Sequence, residues 1–391
     1  MIPSIFRSRE KFLVLEITSK GTSGLFMSID EDRNLIFEKL EKKINLRKFL
    51  KAPLRSISQK SWEGKYFFES RRTIIATADS SLATTIPVPL DLNREPHYAH
   101  EKITITELEN LIARAQIMIF NQCRNEAGRR LHSEDIHTIL VASKANHFKV
   151  DGRAVESLID YSGKKISLLL ELTFTRREIF EDLKPLFASP EGLFFAESSQ
   201  VRLVSVARVR NLPLALVSAN DENATLFVLT KTKGGHGVLY REKMAWSFSL
   251  IFDAIRKDFH VSLPAAREIY AAYCAKKTSV SATRVLKRTI QPAVEAFLQD
   301  IKKSKISGSI YIDAPYAIPF DVPLKTAGVA FEHTPIPELL SEFNFSTEMK
   351  EVSHRPGAVF RYLAPFLEAY FDKSNSEINQ KLRRRLHWLA Q

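Results

Sequence analysis

The sequence is poor in cysteine and in long hydrophobic runs, and each shortage excludes a class of protein. Two of its 391 residues are cysteines, and neither has a histidine or cysteine cluster nearby, so no disulfide framework and no zinc site is predicted. No stretch approaches the roughly 18 apolar residues of a membrane-spanning helix, and Glu10 precedes any run that could serve as a signal peptide. We therefore expect a cytosolic protein that does not span a membrane.

Positive charge is what the sequence has in excess. The 57 lysines and arginines outnumber the 45 acidic residues by 12, which predicts attraction to nucleic acid, acidic lipid or an acidic partner. No zinc-finger, helix-turn-helix or RNA-binding pattern accompanies this charge, so nucleic acid is a minor alternative. His97 and His100 lack a third ligand, and Glu107 and Glu109 lack a pocket signal. We predict no metal site and no catalytic residues.

Hydrophobic patterns divide the chain into the strands and helices of an α/β protein. Hairpins are predicted over residues 11–30 and 224–240, and strands over residues 72–78 and 201–208. Amphipathic helices are predicted over residues 105–130 and 176–187, and three more over residues 244–306. The charge-dense residues 38–60 favour a helix with a solvated face.

Residues 135–174 organise the middle of the chain as strand, turn and strand. Val150-Asp151-Gly152 breaks a strand rich in β-branched residues, and Gly163 precedes the apolar run at residues 166–172. The turn at residues 150–152 and the sequence Gly-Lys-Lys-Ile-Ser-Leu at residues 163–168 resemble the part of the bacterial actin-like FtsA family that leads out of its special subdomain.

The resemblance implies an α/β, two-lobed actin-like (ribonuclease H-like) ATPase fold with an inserted FtsA-type subdomain, also called an SHS2 domain. Lobe 1 is expected at residues 1–78, completed by residues 168–187 and 345–371, with the insert at residues 79–167. Lobe 2 is expected at residues 188–344, with a helical part at residues 245–306. A linker and a C-terminal amphipathic helix are expected at residues 372–391.

The same resemblance implies three nucleotide motifs, each of which has lost residues. In the first, Glu16 stands at the acidic position, Thr18 at a glycine position, and Ser19 follows. The second, aligned on residues 224–240, has Leu229 at the acidic position and keeps only Gly234 and Gly235. The third has Ala314 and Pro315 where glycines belong. Glu16, Ser19, Gly234 and Gly235 are thus the predicted remnant of a cofactor site. ATP hydrolysis is not expected, and ATP as a bound cofactor is left open.

The C-terminal residues 376–391 combine apolar, basic and tryptophan side chains, as interfacial helices do. FtsA-like proteins end in such a tail, behind a polar linker. The alternative is a terminal helix docked on the body of the protein. The residues predicted to bind an anionic membrane are Ile378, Leu382, Arg383, Arg384, Leu386, Trp388 and Leu389.

The resemblance implies an adaptor rather than a catalyst. Such a protein tethers filaments of an FtsZ-like tubulin homologue to the inner face of the cytoplasmic membrane at the division septum, and self-association is expected. One alternative is a PilM-like scaffold of type IV pilus assembly, which shares the fold. Another is an active actin-like ATPase, for which Glu16 is the one candidate acid.

Overall fold

The computed structural model describes residues 10–45, 72–187, 193–231, 237–306, 308–314, 316–317, 319, 325–326, 329–332, 334–347, 356–371, 378–379 and 381–382. The chain divides into two compact units. The first consists of Met1–Ser205 and Pro337–Gln391, and the second is Val206–Ile336.

The strands form three sheets. In chain order they are β1 Glu10–Thr18, β2 Gly21–Ile29, β3 Asn34–Ile44, β4 Arg72–Ala78, β5 Ala83–Asn93, β6 Thr138–Val150, β7 Arg153–Ala154, β8 Lys165–Arg176, β9 Phe194–Glu197, β10 Leu214–Ala219, β11 Ala224–Lys231, β12 Gly237–Lys243, β13 Gly308–Asp313, β14 Lys325–Thr326, β15 Val329–Glu332 and β16 Ser346–Thr347. The helices are α1 Ile105–Leu131, α2 Arg177–Phe187, α3 Ser198–Val209, α4 Phe248–Phe259, α5 Leu263–Cys274, α6 Val280–Lys303, α7 Ile336–Glu342 and α8 Pro356–Tyr370.

The first unit contains a six-stranded sheet with β1 near its centre, in the order β16-β3-β2-β1-β4-β9. β1, β2 and β3 are antiparallel neighbours, whereas β1, β4 and β9 run parallel. The residues of β1 from Phe12 to Ile17 are all buried, as expected for a strand that is covered on both faces. Helix α8 supplies part of this cover, with the ring of Phe366 edge-on to Phe12 at 5.0 Å between centroids.

Between β4 and β9 the chain forms an insert with its own four-stranded sheet, in the order β5-β8-β6-β7. Helix α1 begins at Thr104, whose hydroxyl accepts a hydrogen bond from Glu107 N, and packs its apolar stripe on this sheet. The predicted turn at residues 150–152 is confirmed. Asp151 and Gly152 have positive φ, and the Asp151 carboxylate accepts the N–H groups of Lys164 and Lys165.

Five strands of the sheet in the second unit have the same order and connections as five strands of the first sheet, whereas its sixth strand, β14, lies at the edge opposite to that of β16. The order in the second unit is β12-β11-β10-β13-β15-β14, with β10, β11 and β12 antiparallel and β10, β13 and β15 parallel. Helices α4, α5 and α6 lie between β12 and β13, which confirms the three helices predicted for this part of the chain. Their apolar faces and the sheet share one core, which includes Phe248, Tyr270 and Phe297.

Two predicted elements are of the wrong type. Residues 38–44 belong to strand β3, where Lys39 and Glu41 form an ion pair two residues apart on the exposed side; residues 46–60 lie outside the described part. Residues 201–208 belong to helix α3 and not to a strand. The sequence of this segment alternates as in a half-buried strand, but Arg202 is buried together with Val201 and Leu203.

Candidate functional site

The turn between β1 and β2 is where an actin-like ATPase holds phosphate with backbone N–H groups. Here the N–H of Ser19 donates to Asp79 Oδ2 at 3.3 Å, and the N–H of Lys20 donates to Thr18 Oγ1 at 3.3 Å. The Thr18 hydroxyl in turn donates to the carbonyl of Gly21 at 2.9 Å. Gly21 has φ +125°, a conformation that glycine adopts without strain. The donors of this turn are therefore used within the chain.

Asp79 fixes this arrangement from the end of β4. Its N–H donates to the carbonyl of Ile17, and its Oδ1 accepts from the N–H and the hydroxyl of Ser81. The carboxylate thus occupies the anion position of the turn. A phosphate placed there would have to displace a group of its own charge, which is unfavourable in a partly buried site.

Glu16, the predicted acidic residue, is buried and held by two arginines. Arg202 Nη2 donates to its Oε1, and Arg361 Nη1 lies 4.0 Å from its Oε2. Burial lowers the pKa of Arg202, and the charge of Glu16 opposes that effect. A carboxylate that is paired in this way is not available to order a magnesium ion or its water.

The corresponding turn of the second sheet lies between β10 and β11. There Asn220 Oδ1 accepts the N–H groups of Glu222 at 3.0 Å and Asn223 at 2.8 Å. The carboxylate of Asp221 is bound by Arg267, and burial together with a hydrogen bond to Asp221 raises the pKa of Tyr316 to about 12. The N–H groups of Glu222 and Asn223 are therefore bound within this turn, in an Asx-type loop.

The place of the β10–β11 turn corrects the predicted second motif. The prediction puts that motif in the β11–β12 hairpin, which includes Leu229. In chain order, however, β10 and β11 are the first two strands of this sheet, so the turn between them is the one that matches the β1–β2 turn. The glycine pair drew the alignment one hairpin too far along the chain. Gly234 and Gly235 lie outside the described residues, and the turn that matches the β1–β2 turn contains no glycine.

Among the predicted site residues, Glu16 and Ser19 lie on β1 and in the turn that follows it. Sequence reasoning missed Asp79 and Arg202, which bind the first turn and Glu16, and it missed Asn220, which binds the turn of the second sheet. Asp79 before two serines and Asn220 at the start of Asn-Asp-Glu-Asn were visible turn signals. In the part of the chain that the structure describes, no three His, Cys, Asp or Glu side chains are grouped as metal ligands.

The C-terminal segment lies against the insert. Ile378 and Leu382 are buried in the same core as the inner face of α1, which differs from the exposed apolar face predicted for them. Asn379 hydrogen-bonds both backbone groups of Ala145 in β6. The other predicted membrane-binding residues, Arg383, Arg384, Leu386, Trp388 and Leu389, lie outside the described residues, and their role stays a prediction.

The chain is similar in structure to a PilM-PilN type IV pilus biogenesis complex, at 13% identity and a TM-score of 0.50, over 96% of this chain and 98% of that chain. Weaker matches include ethanolamine utilization protein EutJ from Carboxydothermus hydrogenoformans, at 10% identity, 85% and 86% coverage and a TM-score of 0.33. A Bacteroides thetaiotaomicron protein with an actin-like ATPase fold matches at 10% identity, 86% and 90% coverage and a TM-score of 0.33. No family model and no curated protein sequence matches the chain.

The chain has the actin-like ATPase fold, which confirms the predicted fold class. Both six-stranded sheets carry its connections, and the turns that would hold a nucleotide are present. Their chemistry does not fit one, because the turn N–H groups described above already have partners and Glu16 is paired with arginine. Among the described helices, none combines the length and apolarity needed to cross a bilayer.

Proposed function

We propose that this chain is a scaffold that binds protein partners on the inner face of the cytoplasmic membrane and does not hydrolyse ATP. The observation that carries the proposal is that backbone N–H groups of both hairpin turns donate to side-chain oxygens of the chain itself. The acceptors are Asp79 and Thr18 in the first turn and Asn220 in the second. A protein that keeps this fold but fills its phosphate positions with its own side chains can still bind partners on its surface, although it no longer binds the substrate of an ATPase.

The direct test is phosphate release from MgATP. We expect the purified protein to match a blank, because the acids that the structure describes at the first turn already have partners: Glu16 is paired with arginine, and Asp79 accepts N–H groups of the chain. An actin-like ATPase of known activity serves as the positive control. Turnover above the blank that is abolished by Glu16→Ala would show that the occupied site still catalyses, and the scaffold proposal would be wrong.

Two partner classes follow from different observations. The turn at residues 150–152 and the basic tail favour an FtsA-like adaptor, which would tether filaments of an FtsZ-like tubulin homologue and self-associate. The similarity to the PilM-PilN complex supports a pilus-assembly scaffold. The burial of Ile378 and Leu382 removes part of the sequence argument for the first class, since these residues were counted as membrane-facing.

Capture of partners from the cells that make the protein separates the two classes. The whole chain is used as bait, with a surface variant of α1, Asn110→Ala, as a matched control for folding. Enrichment of a tubulin homologue supports the adaptor, and enrichment of pilus-assembly proteins supports the second class. Recovery of neither class would contradict both assignments and leave only the fold.

Membrane binding is tested with vesicles of phosphatidylglycerol and phosphatidylcholine in equal parts and with phosphatidylcholine alone. We expect weak, salt-sensitive sedimentation with the anionic vesicles, since each basic residue near such a surface contributes about 1 kcal/mol. Leu386→Glu with Trp388→Glu should abolish it. If that double variant sediments as well as the wild type, the tail is not the membrane anchor.

A further inference from the structure

The edge of β6 that faces away from β8 is paired with β7 at Lys149 and Val150, and at Ala145 it is bound by a side chain of the C-terminal segment. Ala145 faces Leu170 of β8, yet Ala145 N donates to Asn379 Oδ1 at 2.8 Å, and Ala145 O accepts from Asn379 Nδ2 at 2.9 Å. Both backbone groups of Ala145 therefore point away from β8, as in a non-hydrogen-bonded antiparallel pair. The amide of Asn379 satisfies them as a residue of an added strand would.

Two aliphatic side chains hold the same segment in place. Ile378 and Leu382 are four residues apart, so they share one helical face, and they are 3% and 2% exposed. Both belong to the core that α1 shares with the inserted sheet. Lys381 Nζ lies 3.3 Å from Glu109 Oε2 of α1, in an ion pair that is open to water and therefore weak. The docking surface thus consists of the β6 edge, the core beneath it and α1.

Ile378 and Leu382 are also two of the apolar residues on which membrane binding of the tail would depend. A side chain that is buried in the insert cannot at the same time enter a lipid interface. We infer that the β6 edge is a docking surface for the segment that carries Ile378, Asn379 and Leu382, and that docking there and insertion of this segment into an anionic membrane exclude each other. This inference rests on the proposed membrane role of the tail.

The coupling is reciprocal, so any change that weakens docking should strengthen vesicle binding. It also predicts that a vesicle which draws the segment away returns the N–H and C=O groups of Ala145 to water. Asn379 therefore stabilises the docked state alone. It makes the two hydrogen bonds of docking and contributes no apolar area to the membrane-facing sector.

The experiment compares the full-length wild type with Asn379→Ala, Glu109→Gln and the matched surface variant Asn110→Ala. Each is sedimented with equal parts phosphatidylglycerol and phosphatidylcholine, and deuterium uptake is followed in the peptide that contains Ala145. Asn379→Ala should bind about tenfold more tightly than wild type, since two hydrogen bonds of docking are lost. Glu109→Gln changes α1 and leaves the C-terminal segment unaltered. It removes the ion pair with Lys381, so this variant should bind vesicles about twofold more tightly than wild type. Asn110→Ala should behave as wild type.

Vesicles should also raise deuterium uptake at Ala145 in the wild type. If Asn379→Ala and wild type bind equally while uptake at Ala145 rises in the variant, docking does not compete with the membrane and the inference fails, although the membrane role stands. If neither protein binds vesicles, the membrane role itself fails and the exclusion falls with it. Binding by Asn379→Ala alone would support both.

Discussion

Glu16 lies on the strand where an actin-like ATPase needs an acid, yet its surroundings make it part of the core. Arg202 enters from α3 and is fully buried, and Arg361 approaches from α8. Tyr362, next to Arg361, donates to Ser23 on the strand beside β1, and burial raises its pKa. These contacts tie two helices to the sheet through one carboxylate.

We expect Arg202→Met to lower the free energy of unfolding by about 3 kcal/mol, because it removes the hydrogen-bonded partner of the buried Glu16 carboxylate and leaves Arg361 at 4.0 Å. The double variant Glu16→Gln with Arg202→Met should lose less, since neither charge remains to be compensated. Urea denaturation measures both. Arg129→Met, which removes an exposed ion pair with Glu126, is the control and should cost less than about 1 kcal/mol. Equal losses in the two single variants would contradict a structural role for the buried pair.

A second prediction at the residue scale concerns how the stability that Glu332 contributes changes at low pH. Hydrogen bonds from Ser309 and then Tyr311 hold the pKa of Glu332 below its ordinary value of 4.5. A lowered folded pKa gives stability that is present above 4.5 and is lost as the pH falls through the folded value. The stability difference between wild type and Glu332→Gln should therefore be constant from pH 7 to about pH 5 and shrink below it. Denaturation curves across this range measure it, and a difference that grew on acidification would have the wrong sign.

At the scale of elements, the strongly periodic segments were predicted correctly and two charged segments, β3 and α3, were not. The 27-residue helix α1 follows its apolar stripe, and the first hairpin follows from two apolar strands around a Ser-Lys-Gly turn. Helix α3 was mistaken for a strand because its arginine points inward to a partner 186 residues away, which no local pattern reveals. The β3 strand was missed because the density of its charges favoured a helix with a solvated face.

The C-terminal segment contributes to the stability of the insert. Ile378→Ala should lower the free energy of unfolding by about 2–4 kcal/mol, because a buried aliphatic side chain is replaced by a cavity. Ile117→Ala on α1 is a matched control, since Ile117 is 70% exposed and should cost little. Thermal denaturation of both variants at one protein concentration measures the difference. If Ile378→Ala is no worse than Ile117→Ala, the segment does not dock in solution.

At the scale of the whole molecule, the order of elements and the resemblance gave the fold, whereas the state of the nucleotide turns depended on contacts distant in sequence. The carboxylate of Asp79 reaches a turn 60 residues earlier in the chain. The turn of the second sheet could be located only once the order of the strands was known. A remnant motif read along the chain therefore shows which residues were lost, but not which residues replaced them.

This arrangement predicts that MgATP leaves the melting temperature unchanged. A ligand at about 100 times its dissociation constant stabilises a protein by about 2.7 kcal/mol, an effect that a thermal shift would detect easily. The Asp79→Ala variant is measured beside the wild type, because this substitution removes the acceptor of the Ser19 N–H group. A shift in the variant alone would identify the carboxylate as the block, and a shift in the wild type would contradict an occupied turn.

The contact between Ala145 and Asn379 joins residues 234 positions apart, and this distance has a consequence for synthesis. A ribosome that adds about 5–20 residues per second needs roughly 10–50 seconds to pass from one to the other. During that interval β6 can pair with β8, but Asn379 is not yet available to bind the backbone of Ala145. The backbone of Ala145 is thus open to edge-to-edge pairing between nascent chains until Asn379 emerges, and products that stop short of Asn379 keep that exposure permanently.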